Sequence, residues 1–180
     1  MYQVYRAPMR SRHDDVDPGL AVERALGSGV CGVGGRLSTA PATLAEALGR
    51  TDDEYDERTA RRLERFAAAP TGSFVWTRDT DGLYFLGRLT GEWRYDAAPD
   101  ALAADLVHVR ACDWLARPVP PERVPAATLA TFARGGRSFQ QTHDTTVGAD
   151  SAALWEGGLM QDARGRPRPG PGTPSGRIVG

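Results

Sequence analysis

Apolar and polar positions alternate along the middle of the chain, and this period of two predicts short β-strands joined by tight turns. Strands are predicted at residues 73–78, 83–90, 93–95 and 106–115, with the hairpin signal Asp79-Thr-Asp-Gly82 between the first two. Three of the four tryptophans lie in this stretch. The role of its aromatic rings is therefore the first functional question.

Helical periods surround the strand-rich stretch. Helices are predicted at residues 18–26, 43–49 and 53–68, and the second begins with Thr43 and Glu46 at the spacing of a capping box. The other predicted elements are strands at 2–5, 30–35 and 138–143 and helices at 126–133 and 152–160. This order predicts an α+β fold in which helices flank a small, strongly bent, antiparallel β-barrel.

The length of 180 residues suits one domain with a sizeable core. We expect this domain to span residues 1–160. Beyond it the composition changes to Arg, Pro and Gly, and such a segment cannot bury enough apolar surface to fold. A disordered tail is therefore predicted at residues 161–180.

Charge and composition exclude little by themselves. The formal net charge is −1, so no overall field marks a nucleic acid or a membrane as the partner. All 22 basic residues are arginine, which follows from a GC-rich coding bias or from the use of guanidinium groups on phosphate. The chain has no run of about 20 apolar residues and no signal-peptide pattern, so a cytoplasmic protein without a membrane partner is expected.

Catalytic and metal-binding patterns are weak. His13, His108 and His143 form no local triad, and Cys31 and Cys112 lack zinc spacing, so buried free thiols are expected. No phosphate-loop lysine and no GxGxxG motif exist. We therefore predict no catalytic residue, metal or cofactor. The balance favours a non-enzymatic protein, and a hydrolase or deaminase using His108 and His143 is the enzymatic alternative.

The aromatic strands and one arginine turn allow two interpretations each. The rings either fill the core or form a pocket that sandwiches a planar ligand, such as a base taken out of a nucleic acid strand. Arg134-Gly-Gly-Arg137 is either an ordinary surface turn or a phosphate site built from two guanidinium groups and exposed backbone N–H groups.

The string LYFLGRLTGEWRYD, followed by His108-Val-Arg110 and Asp113-Trp114-Leu115, resembles reader domains of the PUA-like superfamily. The resemblance covers residues 2–143 and is closest to EVE- and YTH-type domains of the bacterial Mrr- and McrB-type modification-dependent restriction systems. It implies a PUA-like barrel whose pocket holds a modified or flipped base. The family pattern leads one to expect an aromatic residue at Gly35, and Trp76 is the candidate replacement for that ring.

The leading hypothesis is a non-catalytic reader domain that binds nucleic acid, DNA rather than RNA, and recognises a modified or flipped base. Any cleavage then belongs to a separate nuclease or effector protein. The predicted contacts are Trp76, Trp93, Tyr95 and His108 for the base, and Arg110, Arg134 and Arg137 for phosphate. The alternative is a small-molecule binding or regulatory module that uses the same pocket, whose binding is insensitive to salt.

Overall fold

The computed structural model describes residues 1–165, which form a strongly curled half-barrel sheet flanked by six helices. The strands are β1 (Val4–Arg6), β2 (Val30–Val33), β3 (Phe74–Arg78), β4 (Tyr84–Leu89), β5 (Arg94–Tyr95), β6 (His108–Trp114) and β7 (Gln140–Gln141). The helices are α1 (Leu20–Ser28), α2 (Leu44–Glu54), α3 (Glu57–Ala68), α4 (Pro99–Ala104), α5 (Ala126–Ala133) and α6 (Val147–Gly165). The predicted α+β class with a bent sheet is confirmed.

The sheet has the strand order β2-β6-β4-β3-β1-β7, and β5 pairs with β6 outside this path. All pairs are antiparallel except β1 with β3. The β2–β6 register sets Val33 opposite His108, at the end where both strands meet the helices. Helix α6 continues to Gly165, and residues 166–180 of the predicted tail lie outside the described residues.

Helices cover both faces of the sheet around β3. Successive residues of a strand point to opposite faces, and Val75 packs with α1, α2 and α3 in one core cluster. Its neighbours Phe74 and Trp76 pack with α5 and α6 in a second cluster. Two buried layers of side chains therefore lie on the two sides of one strand, and polar or aromatic residues on either side are enclosed.

The sequence predicts a boundary between two helices at residues 49–53, and the structure has it at Tyr55 and Asp56, between α2 and α3. Thr43 accepts a hydrogen bond from the Glu46 N–H at 3.2 Å, as the capping-box spacing predicts, and starts α2. Asp56 accepts from the Thr59 N–H at 2.6 Å and starts α3. Tyr55 lies between these two helix ends, outside helical geometry, and its side chain lines the cavity described below.

The buried Trp76 indole provides a test of the second core cluster. Its Nε1–H donates to the Ser151 hydroxyl of α6 at 3.0 Å. We expect Ser151→Ala to lower the free energy of unfolding by about 1–3 kcal/mol, because the buried N–H then lacks an acceptor. Urea denaturation measures the change, with Ser28→Ala, at an exposed position in the last turn of α1, as the matched control. Equal stability of the two variants would contradict the prediction.

Candidate ligand-binding site

Two residues predicted to contact a ligand lie inside the framework. Trp76 is 0% exposed and Arg110 is 2% exposed. The Arg110 guanidinium donates to the carbonyl oxygens of Ala69 at 2.5 Å, Gly91 at 2.8 Å and Phe66 at 3.2 Å. It therefore joins β6 to the end of α3 and to the turn before β5. Neither residue presents a free polar group or ring face at a surface.

Trp93 and Tyr95 do come together with His108, which the Trp93 indole and the Gly35 carbonyl hold in place. The Trp93 indole donates to His108 Nδ1 at 3.3 Å, so this nitrogen is an acceptor and Nε2 carries the proton. Nε2–H donates to the Gly35 carbonyl at 3.1 Å. The Tyr95 ring meets the imidazole edge-on, and its hydroxyl accepts from the Leu37 N–H at 3.0 Å. The three rings thus position the chain that leaves β2.

A cavity of about 80 Å³ lies beside His108, where the ends of β2 and β6 meet α2 and α3. The loops before α1 and after α5 close it. Val33, Leu63 and Phe139 form its apolar wall, and Tyr55 and His13 supply polar rings. His13 Nε2 lies 3.2 Å from the Tyr55 hydroxyl. A partly apolar cavity with a few convergent polar groups is the usual form of a ligand site.

Asp105 is the buried carboxylate of this cavity, and the sequence interpretation missed it. It follows α4 in the left-handed conformation with φ 47°, which turns its side chain towards β2. The carboxylate accepts from the Ser11 hydroxyl at 2.6 Å, the Gly35 N–H at 2.9 Å and the Arg36 N–H at 3.2 Å. A Cβ on Gly34 would collide with Asp105 Oδ2, so only glycine permits this approach. The glycine-rich run 32–35 was its only signal in the sequence.

Four arginines line the cavity, and none of them forms an ion pair within residues 1–165. Other arginines do: Arg24 lies 2.9 Å from Asp96, and Arg36 lies 2.9 Å from Asp15. The four arginines without such a partner are Arg10, Arg12, Arg62 and Arg137. Among the described residues, Asp105 is the one carboxylate that lines the same cavity, so the four arginines leave it with an excess of positive charge, which favours an anion.

Two open hollows adjoin the cavity and add further arginines. One of about 470 Å³ adjoins it at Arg10 and Arg137 and adds Arg78, together with the carboxylates of Asp14, Asp17 and Asp79. The other, of about 670 Å³, adjoins it at Arg62 and adds Arg65. We call the resulting depression the arginine groove. Its cations are Arg10, Arg12, Arg62, Arg65, Arg78 and Arg137.

The structure places the two arginines of the predicted phosphate turn differently. Arg137 lines the cavity, whereas Arg134 is exposed at the end of α5 and does not line it. Arg6 fixes the turn, because its Nη1 donates to the Thr131 and Gly135 carbonyl oxygens, both at 2.6 Å. Arg6 therefore holds the backbone of the turn, and the exposed Arg137 side chain can face a ligand in the cavity.

The two histidines of the hydrolase alternative line different hollows. His108 is buried at the cavity, with both ring nitrogens already hydrogen-bonded. His143 is exposed and lines the 670 Å³ hollow. The structure does not bring them to one carboxylate.

Both cysteines are buried and free, and burial raises the pKa of Cys31 to about 12. Within residues 1–165 there is no group of three His, Cys, Asp or Glu side chains that could hold a metal ion. None of the helices in this part of the chain is both long enough and apolar enough to cross a membrane.

The fold defines an α+β protein with a curled half-barrel sheet. The chain is similar in structure to the YTH domain of the Zygosaccharomyces rouxii MRB1 protein, solved in complex with N6-methyladenosine RNA. The two are 11% identical, the match covers 87% of this chain and 86% of that chain, and the TM-score is 0.42. No functional conclusion follows from a similarity of this size. No protein-family model and no curated protein sequence matches the chain.

Burial makes His108 a source of pH dependence, since it lowers the pKa of this imidazole to about 4. In the unfolded chain the histidine binds its proton near pH 6.5, so between pH 6.5 and pH 4 the unfolded chain holds more protons than the folded protein. The free energy of unfolding therefore decreases as the pH is lowered through this window. We expect a loss of about 2 kcal/mol from pH 7 to pH 5 at this residue.

The matched variant is His108→Gln, whose amide can bond both Trp93 and Gly35 but does not titrate. Urea denaturation of both proteins at pH 7 and pH 5 isolates the histidine from the other groups. The variant should lose less stability than the original protein over this range. An equal loss would show that His108 does not resist protonation in the folded protein.

Proposed function

We propose that this protein is a nucleic-acid reader that holds one base in the cavity and the flanking phosphates in the arginine groove. The observation that carries the proposal is the convergence of four arginines without ion pairs on a cavity that has an apolar wall and one buried carboxylate. Phosphate groups match guanidinium groups, and a base matches a site with flat rings and one polar edge.

The walls of the cavity suit a planar heterocycle. Phe139 is fixed by ring contacts with Tyr5 at 4.7 Å and with Phe66 at 5.1 Å between centroids, so it offers a pre-ordered apolar surface. Tyr55 lies at the rim and is 37% exposed. Stacking on such rings contributes about 1–3 kcal/mol per base. The proposed base contacts are therefore Phe139, Tyr55 and Asp105.

The cavity has to widen before a base can enter. Its volume of about 80 Å³ is roughly half of the ~150 Å³ at which a protein cavity holds benzene. The loop before α1 narrows it through the Ser11–Asp105 and His13–Tyr55 contacts. The His13–Tyr55 contact is exposed, so opening it for a ligand costs little, whereas Ser11 stays bound to the buried Asp105.

The residues predicted from sequence take different parts in this proposal. Trp93, Tyr95 and His108 position the Gly35 segment, and Trp76 and Arg110 support the framework. Arg137 contacts phosphate, and a contact from Arg134 stays a prediction. So do the preference for DNA, the recognition of a modified base, the EVE-type restriction-system assignment and the separate nuclease or effector.

A small planar anion is the second candidate ligand, because the same cavity and the same arginines would accept it. The two candidates differ in their response to salt. A strand of nucleic acid releases counterions along the whole groove and so binds much more weakly as salt rises, whereas a small molecule in the cavity is far less sensitive.

We expect Arg62→Gln with Arg137→Gln to weaken binding of a single-stranded oligonucleotide and to lower the slope of log K against log salt by about 1–1.5. Fluorescence anisotropy between 50 and 200 mM salt measures both quantities, with modified and plain bases. Arg123→Gln, an exposed arginine outside the groove, is the control and should leave the slope unchanged.

Two outcomes would contradict the proposal. One is that no DNA or RNA strand binds the unaltered protein more tightly than about 100 μM at low salt, where phosphate contacts are strongest. The other is that the double variant and the Arg123 control show the same slope, which would place the strand outside the groove.

A further inference from the structure

We propose that Asp105 and Thr51 select the ligand of the cavity, so that it accepts a heterocycle whose edge carries an N–H donor and rejects one whose donor is absent or blocked. This inference rests on the proposed reader function. It concerns which base enters, whereas the reader proposal concerns where the strand lies. Neither residue was a predicted contact in the sequence interpretation.

The Asp105 carboxylate has one hydrogen-bond acceptor position that no donor of the described residues fills. A carboxylate has about four acceptor positions on its two oxygens. Oδ1 accepts from the Gly35 and Arg36 N–H groups, and Oδ2 accepts from the Ser11 hydroxyl. One acceptor position on Oδ2 is left, and His13 Nε2 at 3.9 Å is too far to fill it. A buried carboxylate with one unfilled position favours a ligand that donates.

Thr51 is the independent observation. It is 1% exposed and lines the same cavity from α2, and its hydroxyl has no hydrogen-bond partner within residues 1–165. In the same part of the chain Thr77 and Thr128 also have buried hydroxyls without a partner, and Thr51 is the one of the three that lines the cavity. Buried hydroxyl groups usually have a partner, and at a cavity a ligand can supply it. A hydroxyl can donate to a ring nitrogen or a carbonyl next to the N–H group that Asp105 accepts.

Asp105 and Thr51 therefore give the cavity two polar positions in addition to its apolar wall. Adenine fits it through its amino group and the adjacent ring nitrogen, and the other bases fit it through their own N–H and adjacent acceptor. Purine, which lacks the amino group, and N3-methylthymine, which lacks the N–H, leave Asp105 without its donor. A site built to bond a group rejects the analogue without that group, because a buried polar atom then stays unpaired.

The first test uses the unaltered protein and single-stranded oligonucleotides with one central test base. The pairs are adenine against purine and thymine against N3-methylthymine, measured by fluorescence anisotropy in DNA and RNA backbones. We expect the base of the preferred pair to bind at least about fivefold more tightly than its analogue. Equal binding within both pairs would overturn the inference.

The second test is Asp105→Asn, in which an N–H donor replaces the free acceptor. The asparagine oxygen still accepts from Gly35 and Arg36, its amide can donate to Ser11, and asparagine tolerates the left-handed conformation, so the fold is preserved. We expect the ratio between base and analogue to fall to about unity. An unchanged ratio in a folded Asp105→Asn protein would overturn the inference.

Thr51→Val gives a result that a structural role would not produce. Valine has the shape of threonine without the hydroxyl, so it removes a buried polar group that has no partner in the free protein. We expect the Tm to stay the same or rise while affinity for the preferred strand falls about threefold to tenfold. Unchanged affinity, or a Tm that falls with it, would overturn the role of Thr51.

The two proposals fail in different ways. If no strand binds, or if binding does not respond to salt, the reader function itself is wrong. If strands bind and weaken steeply with salt, but base and analogue bind equally in the unaltered protein and in Asp105→Asn, the reader function stands and only the selection by Asp105 and Thr51 is wrong.

Discussion

The close approach of the chain after β2 to Asp105 and His108 is the constraint on which the site depends. Gly34 leaves room for the Asp105 carboxylate, and Gly35 has φ 118°, a conformation that other residues rarely adopt. The Gly35 N–H thereby reaches Asp105 while its carbonyl reaches His108. This part of the cavity wall is consequently backbone, fixed by Asp105, which follows α4, and by His108 at the start of β6.

This arrangement explains the departure at Gly35 from the aromatic residue that the family resemblance leads one to expect. A ring there would demand a backbone conformation that the hydrogen bonds to Asp105 and His108 exclude. Trp76 does not replace the ring, because it lies in the cluster that faces α5 and α6. The flat surfaces at the cavity come instead from Tyr55, between α2 and α3, and from Phe139, just before β7.

The order of elements could be predicted from the sequence, and the site largely could not. Periodicity and turn residues give the strands and helices, and α5 begins and ends where predicted. The alternation of a strand does not say which side is solvated, and here helices cover both sides of β3. The period therefore leaves open whether Trp76 faces a ligand, and the folded chain buries it. Arg110 is enclosed in the same way by the end of α3.

Contacts between distant residues account for the rest of what the sequence did not predict. Ser11 and Asp105 are 94 residues apart, and Gly35 and His108 are 73 apart. No local pattern marks such pairs. The arginine groove could not be predicted for a related reason, because a net charge of −1 does not show which arginines form ion pairs. Only the folded chain separates Arg24 and Arg36, which have carboxylate partners, from the cations of the arginine groove.

Three features that lower the stability of the free protein coincide at the cavity, and buried hydroxyls without a partner in the described residues also occur elsewhere, at Thr77 and Thr128. Like charges without counter-charges repel one another, a buried hydroxyl without a partner loses its hydrogen bonds to water, and an unfilled cavity forfeits packing contacts. The arginine groove, Thr51 and the cavity carry these three costs within one shared set of walls. Local departures from good packing and pairing are typical of functional sites, where a ligand supplies what is missing. Their coincidence makes this cavity a stronger candidate site than any single residue would.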